Sequence, residues 1–368
     1  MPGPCTLYGW QLSYFTAKVR SSLHYKQVPF VEQPLNLWQL MVTVPRRTGA
    51  TVMPVLLTPQ GQWLQDSSVI IDHLEAQSPA RSLLPETPLQ RFVAYLLEAW
   101  ADEWWIPMAM HSRWSYPENY PLFEAEAGAH LLPGFARSLQ DMAAAHIARM
   151  LRDMCPRVGI RPGQHAWLNR WSENMLELLE THFSQHRYLL GDRPTLADVA
   201  LAGPFCAHLG RDPWPAREWI APRTHLRQWV ERMASPQLGQ DASGLLLVGD
   251  AIAPTLEPVL RTVLAEFVPL LECIHEQVQA LRTTFPPGKP LPRVLADVTL
   301  LSRHGPFSRA ALPYSLWMAQ RVRDVHAGMG TRDQALVRSA LQHWGSDRLL
   351  DLPLDRLERK GLRVAFAA

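Results

Sequence analysis

Two short polar stretches lie where the chain changes from strand to helix, and their residue types can hold charged groups. Asp66-Ser67-Ser68 stands directly before Val69, Ile70 and Leu74, whose spacing predicts a helix with capping residues at its start. The first N–H groups of such a helix have no internal partner and carry partial positive charge, which suits a carboxylate. Upstream, Met53-Pro54 interrupts a β-rich run at 52–58. A proline there marks a strand edge that faces a ligand, or a cis bond that turns the backbone outward. Metal chemistry has little support. His182 and His186 stand four apart, but the segment His-Phe-Ser-Gln-His lacks the glutamate of a zinc protease and has no third ligand in sight, so no metal is expected. Cys5, Cys155, Cys206 and Cys273 are scattered with no paired spacing, which argues against a disulfide framework and for a reducing compartment.

These residues need elements to position them. Residues 5–10 read as a short apolar strand, 13–25 as a helix with Val19 and Leu23 on one face, and 28–35 as a second strand. A second helix is expected over 36–44, stopped by Pro45 and Gly49. Residues 52–58 and 62–65 form a hairpin through Pro59-Gln60-Gly61, and the Asp66 helix follows. The order is β-α-β-α-β-β-α, a small sheet covered by helices. Proline-rich residues 79–88 then read as a linker, and 89–114 as one long helix rich in aromatics. Further helices are expected over 138–152, 166–186, 255–283, 313–326 and 333–343. Thr195 with Asp198 forms a capping arrangement for another.

The segment VMPVLLTPQGQWLQDSSVIIDHLE resembles the glutathione-binding half of the thioredoxin-like domain of glutathione transferases. That resemblance implies a cis-Pro54, with the main chain of Met53 pairing with the cysteinyl part of glutathione. It also implies that Asp66 and Ser67 hold the γ-glutamyl end. The stretch LYGWQLSYFTAKVRSSL is similar to the first strand and helix of serine-type members such as the zeta class, with Ser13 at the catalytic position. A free thiol titrates near ~8.5, so lowering it by ~2 units needs about 2.7 kcal/mol of preference for the thiolate. A hydroxyl hydrogen bond beside a helix end can supply much of that. Ser13 is equally suited to cap the helix. Tyr8 is the alternative catalytic group, since other classes use a tyrosine near the end of the first strand. Phe15 stands where the zeta class has a cysteine, which weakens any claim to that class's isomerase chemistry. The lack of cysteine at 10–14 disfavours a dithiol oxidoreductase. The resemblance also implies that the helix after the linker lines a site for a hydrophobic electrophile, with Tyr95, Trp100 and Trp104 as its wall. Arg46 and Arg47 are candidates for the glycyl carboxylate. The YLLGDRPTLADVALAG segment resembles the capping box that opens the buried helix of the transferase C-terminal domain.

The division expected is therefore a thioredoxin-like domain at 1–78, a linker at 79–88, an all-helical domain at 89–239, and an additional helical extension at 240–368 packed on the C-terminal domain. One expectation for the extension is that Trp317, Gln320 and Arg321 close over the active site. With 47% hydrophobic and 19% charged residues the 368-residue chain is globular, and a net charge of +2 gives no reason to expect nucleic acid or an anionic membrane as partner. No apolar run approaches the roughly 20 residues that cross a bilayer, and the N-terminus has no secretory pattern, so a cytoplasmic protein is expected. The expected activity is conjugation of glutathione, as co-substrate, to a hydrophobic electrophile. The alternative is a non-catalytic glutathione- or protein-binding scaffold of the same fold. The resemblance implies a homodimer.

Overall fold

The computed structural model describes residues 3–368. In chain order the elements are β1 (Cys5–Tyr8), α1 (Tyr14–Lys26), β2 (Phe30–Gln33), α2 (Val44–Thr48), β3 (Val55–Leu57), β4 (Trp63–Gln65) and α3 (Ser67–Gln77). There follow α4 (Pro88–Trp104), α5 (Ile106–Trp114), α6 (Tyr120–Leu131), α7 (Arg137–Met154), α8 (His165–Phe183), α9 (Leu196–Pro204), a short turn α10 (Pro213–Pro215) and α11 (Thr224–Ala234). The last third holds α12 (Glu257–Ala280), β5 (Asp297–Ser302), β6 (Gly305–Ala310), α13 (Tyr314–Ala327), α14 (Thr331–Trp344), α15 (Arg348–Asp351), β7 (Leu357–Lys360) and β8 (Arg363–Phe366).

These elements fold as two compact units, neither continuous in sequence. The first is Met1–Leu83, Met108–Cys155 and Asp198–Gly244; the second is Leu84–Pro107, Pro156–Ala197 and Leu245–Ala368. These units do not follow the linear division at 78, 88 and 239. Residues 245–368 belong to the same compact unit as α4 and α8. They are not all helical, since β5 pairs antiparallel with β6 and β7 with β8.

The first unit contains a thioredoxin-like four-stranded sheet of order β2-β1-β3-β4, with β1 parallel to β2 and the other pairs antiparallel. Period-two alternation sends Cys5, Leu7, Leu56 and Leu64 to one face. There they pack with Val19 and Leu23 of α1 and Ile70 and Leu74 of α3. Fully burying one such aliphatic side chain is worth ~1.5–3 kcal/mol. A second apolar cluster joins Val55, Trp10, Leu12, Leu35, Leu40 and Val44 to Phe123, Ala127 and Leu131 of α6 and Ala144 and Ala148 of α7. Helix α1 starts where Ser13 accepts from the Thr16 N–H, and stops at Gln27 in the left-handed region.

Two helix expectations change for reasons traceable to proline. The helix expected over 36–44 starts instead as a wide turn, and α2 carries Pro45 in its first turn, where a missing N–H costs nothing, before ending at Gly49 with φ 78°. The single helix expected over 89–114 is two, broken at Trp105. Pro107 has no N–H to donate to the preceding turn, and its fixed φ suits the first turn of a new helix.

In the second unit the aromatics of the α4 stretch form a core. Trp105 packs edge-on against Trp171 at 5.2 Å, and Trp104 contacts Trp171 and Phe307. The hairpins are stitched in by the main chain: Leu291 N–H donates to Val364 O at 2.8 Å, and Ala310 N–H to Arg157 O at 2.7 Å. The expected lid at Trp317, Gln320 and Arg321 is instead a fastening. The Gln320 amide exchanges two hydrogen bonds with the Leu357 main chain, while Arg321 pairs with Glu98 at 3.4 Å and lies over the rings of Tyr95 and Trp317. No helix among the described residues is long and apolar enough to cross a membrane.

Candidate functional site

Strand register gathers the glutathione-binding candidates at one end of the sheet. Tyr8 of β1 is opposite Val55 of β3, and Val55 is opposite Gln65 of β4. One residue beyond that row lie Gly9, Pro54 and Asp66, each leaving its strand on the same side. Ser13 then opens α1 and Ser67 opens α3.

At the first turn, Ser13 is half-buried and its hydroxyl accepts a long, 3.4 Å hydrogen bond from Thr16 N. A serine hydroxyl has two acceptor lone pairs and one proton. Capping uses a lone pair, so the proton can still be donated to an anion in front of the helix. Gly9 lets α1 approach β1: a Cβ there would lie 2.4 Å from the Thr16 side chain. Tyr8, the rival, stacks on Trp63 with centroids 5.2 Å apart and packs against the second apolar cluster.

The Met53–Pro54 bond is cis. Among the described residues, neither the main-chain N–H nor the C=O of Met53 makes a hydrogen bond, which leaves both for an extended ligand. Asp66 caps α3, accepting from Ser68 N at 3.0 Å and Val69 N at 3.3 Å, with φ 87°. Non-glycine residues avoid that region at a cost of order 1–3 kcal/mol, and such strain concentrates at ligand clamps. Ser67 is 6% exposed, and its N–H and hydroxyl make no hydrogen bond among the described residues. Below them, buried Lys18 donates to Ser68 Oγ at 3.1 Å. Arg46 is exposed, and the Arg47 guanidinium lies 5.8 Å from the Trp63 ring centroid.

Sequence reasoning assigned no role to Arg113 and passed over Asp212. The structure puts both behind the first turn. Arg113 donates to Leu12 O at 2.8 Å and to Asp212 through Nε at 2.8 Å and Nη2 at 3.1 Å, all buried. The Leu12 carbonyl belongs to the peptide that continues into Ser13, so this pair holds the turn from behind. The two are 99 residues apart, and no local pattern links them.

The acceptor wall expected from Tyr95, Trp100 and Trp104 takes a different form. Trp100 and Trp104 are 2% and 1% exposed, and packing among Trp105, Trp171 and Phe307 leaves neither a face for a ligand. Tyr95 is half-buried beneath Arg321. The histidine pair is also structural: His182 bonds Thr255 Oγ1 through Nδ1 at 2.9 Å, and burial pushes its pKa down to about 4. Among the described residues no group of three or more His, Cys, Asp or Glu is placed to hold a metal ion.

A thioredoxin-like sheet with a cis-proline before β3 and a capped helix after β4, followed by helices, defines a glutathione-transferase type of fold. Residues 7–82 match the glutathione S-transferase N-terminal domain and residues 172–232 match the glutathione S-transferase C-terminal domain. The chain belongs to the glutathione S-transferase family. No curated protein matches it. Solved structures similar to it include a glutathione S-transferase from Rhodospirillum rubrum, 18% identical over 68% of this chain and 96% of that one, with a TM-score of 0.41. A second is a glutathione S-transferase from Methylobacterium radiotolerans in complex with glutathione sulfonate, 22% identical over 68% and 100%, with a TM-score of 0.39. A third is the beta-etherase LigF from Sphingobium, 17% identical over 66% and 98%, with a TM-score of 0.46.

Proposed function

We propose that the protein is a glutathione transferase that ionises the glutathione thiol at Ser13 and joins the sulfur to a hydrophobic electrophile. The observation that carries this reading is the convergence set by register. Ser13, the unpaired main chain of Met53 and the unpaired N–H and hydroxyl of Ser67 stand at one sheet end. Each meets a different part of the tripeptide. Met53 pairs with the cysteinyl main chain as an added strand would. Ser67 meets the γ-glutamyl carboxylate at the positive end of α3, and Asp66 supplies negative charge for the ammonium. The cysteinyl sulfur then lies toward Ser13.

The Ser13 proton hydrogen-bonds the sulfur, whose own proton leaves to water. The thiolate forms a carbon–sulfur bond with the electrophile, and either a leaving group departs with its electron pair or an unsaturated bond takes up the pair and then a proton. Holding both reactants in line supplies much of the rate. Calorimetry with glutathione, followed by turnover of a generic aromatic halide by the parent and by Ser13→Ala, tests the reading. The expected result is millimolar or tighter binding in both and turnover in the parent alone. Absence of binding overturns the site. Binding without turnover in the parent points to the scaffold.

A further inference from the structure

The two hairpins of the second unit treat their outer edges differently. In an antiparallel pair alternate residues bond inward to the neighbouring strand, and those between them present N–H and C=O outward. On β6 the outward residues include Ser308 and Ala310, and both are closed. The Gln164 amide accepts from Ser308 N at 2.6 Å and donates to Ser308 O at 2.8 Å, while Ala310 N–H donates to Arg157 O. The other hairpin has partners on both sides: the Gln320 amide covers Leu357 of β7, and Gly288 and Leu291 N–H donate to Phe366 O and Val364 O of β8. The outer edge of β5 has none. Register pairs Ser308 with Thr299 and Ala310 with Asp297, so Asp297, Thr299 and, two residues on, Leu301 point their main-chain groups away from β6. Among the described residues none of those groups has a hydrogen-bond partner. Water must serve them, since an unpaired N–H or C=O is not left dry. The side chains of the same three residues are exposed, Leu301 to 83%, whereas Val298 and Leu300 between them are buried. The edge lacks the lysine, proline or bulge that commonly blunts one, and its single charge, Asp297, is taken up by Arg161.

The charge at the far end of the strand selects the occupant. The turn after β5 carries Arg303 and His304, and Arg170 of α8 reaches it, with Nη2 3.5 Å from His304 O. Arg170 and Arg303 are exposed and form no ion pair among the described residues. Burial and these two guanidinium groups push the His304 pKa down, as expected where positive charge stands uncompensated.

We propose that β5 is a docking edge for an extended acidic peptide of a partner protein, which adds to the hairpin as a third, antiparallel strand. An antiparallel segment begins at the Arg170 and Arg303 end, so its acidic residues lie at its N-terminus. Three alternate residues then exchange main-chain hydrogen bonds with Leu301, Thr299 and Asp297 and place their side chains on the open face. The one opposite Leu301 is aliphatic and the one opposite Thr299 is β-branched, the pairings that such a face favours. The one opposite Asp297 is not acidic, because like charges directly across a pair repel. This edge belongs to the second unit, and its occupancy does not depend on glutathione binding.

Fluorescence anisotropy of the full chain tests the proposal with a labelled peptide: two glutamates, then isoleucine, threonine, valine, threonine and threonine. The expected result is saturable binding with a Kd of about 100 µM or tighter. Replacing the glutamates by lysines, or Arg170→Glu with Arg303→Glu in the protein, weakens binding about tenfold or more. N-methylation of the isoleucine and valine, whose N–H groups face β5, abolishes binding, and N-methylation of the first two threonines, whose N–H groups face away, does not. Thr299→Pro removes an outward N–H without touching the ladder to β6, and abolishes binding while the unfolding temperature holds. Leu301→Glu, at an exposed side chain, gives the same loss should proline disturb the hairpin. Amide exchange in the free chain is fast at Asp297, Thr299 and Leu301 and slow at Val298 and Leu300, and the peptide slows the first set. No saturation at millimolar peptide overturns the proposal, and so does binding indifferent to N-methylation and to both variants. Exchange at Thr299 that is slow in the free chain and speeds up on dilution gives the edge to a second copy, and overturns it as well.

Discussion

On the proposed function Ser13 has two tasks at one turn, and substitution separates them by readout. Ser13→Ala removes a cap that is weak at 3.4 Å, so ~0.5–1 kcal/mol of stability is lost, a small shift in thermal unfolding. It also removes the donor to the sulfur, and the thiol pKa of bound glutathione, followed by thiolate absorbance, should rise by about 1–2 units. A variant whose thiol titrates as in the parent assigns the ionisation to another group. Ser67→Ala should leave the thiol pKa alone and weaken glutathione about tenfold by calorimetry, through loss of a hydrogen bond to a charged carboxylate. Glu266 makes a different prediction. Burial pushes its carboxyl up to about 7 from an ordinary 4.5, despite the 2.6 Å hydrogen bond it accepts from Trp171 Nε1. The folded chain therefore holds this proton more tightly than the unfolded one. The contribution is fully present below pH 4.5 and falls away as pH rises through 7, by about 3 kcal/mol. Glu266→Gln, which can still accept from the indole, should remove that slope. The comparison of parent and variant in urea unfolding between pH 4.5 and 8 isolates it from His182, whose lowered pKa gives the opposite slope in the acid range.

At the scale of elements, the Arg113–Asp212 pair is what keeps the first turn in register with the rest of its unit. Arg113→Ala leaves a buried carboxylate without its cation, and a loss of 3–5 kcal/mol is expected by denaturant unfolding. A change below 1 kcal/mol would show that the turn is held by other contacts. Replacing both partners with apolar residues should recover most of the loss. This pair also shows where sequence reading stops. The hairpin, its proline and the α3 cap were legible because each rests on neighbours in the chain: Met53 with Pro54, Asp66 with Ser68 and Val69. The same holds for α1 with Ser13. Arg113 and Asp212 are joined by folding alone, and so carry no local signature. Helix α6 was missed because Phe123, Ala127 and Leu131 bury a face against the second apolar cluster, without caps or strong periodicity of its own. The tryptophans of α4 were legible as aromatics but not as core, since the residues that enclose them, Trp171 and Phe307, come from α8 and β6. The hairpin β5–β6 carries Gly305 and Pro306 inside an indifferent pattern, and only its pairing makes it a strand.

For the whole molecule, the interleaving of the two units decides what can be removed. Residues 245–368 share a compact unit with α4 and α8, and Arg309, 1% exposed, donates to the Glu103 main chain of α4. Deleting this segment should expose the Trp100, Trp104 and Trp171 cluster, and the truncated chain should be insoluble or lose its cooperative unfolding transition. A soluble truncation with a sharp transition would show that α4 and α8 pack adequately without it. The interleaving also bears on birth of the protein at the ribosome. The ordered emergence of the chain delivers α4 before most of the helices of the first unit, and the last strand of the second unit, β8, follows every element of the first. Neither unit can close while its own middle and end are still untranslated. Nascent chains halted after residue 83 should therefore be digested by protease as readily as an unstructured peptide, and resistance should arrive only once Gly244, the end of the first unit, has emerged.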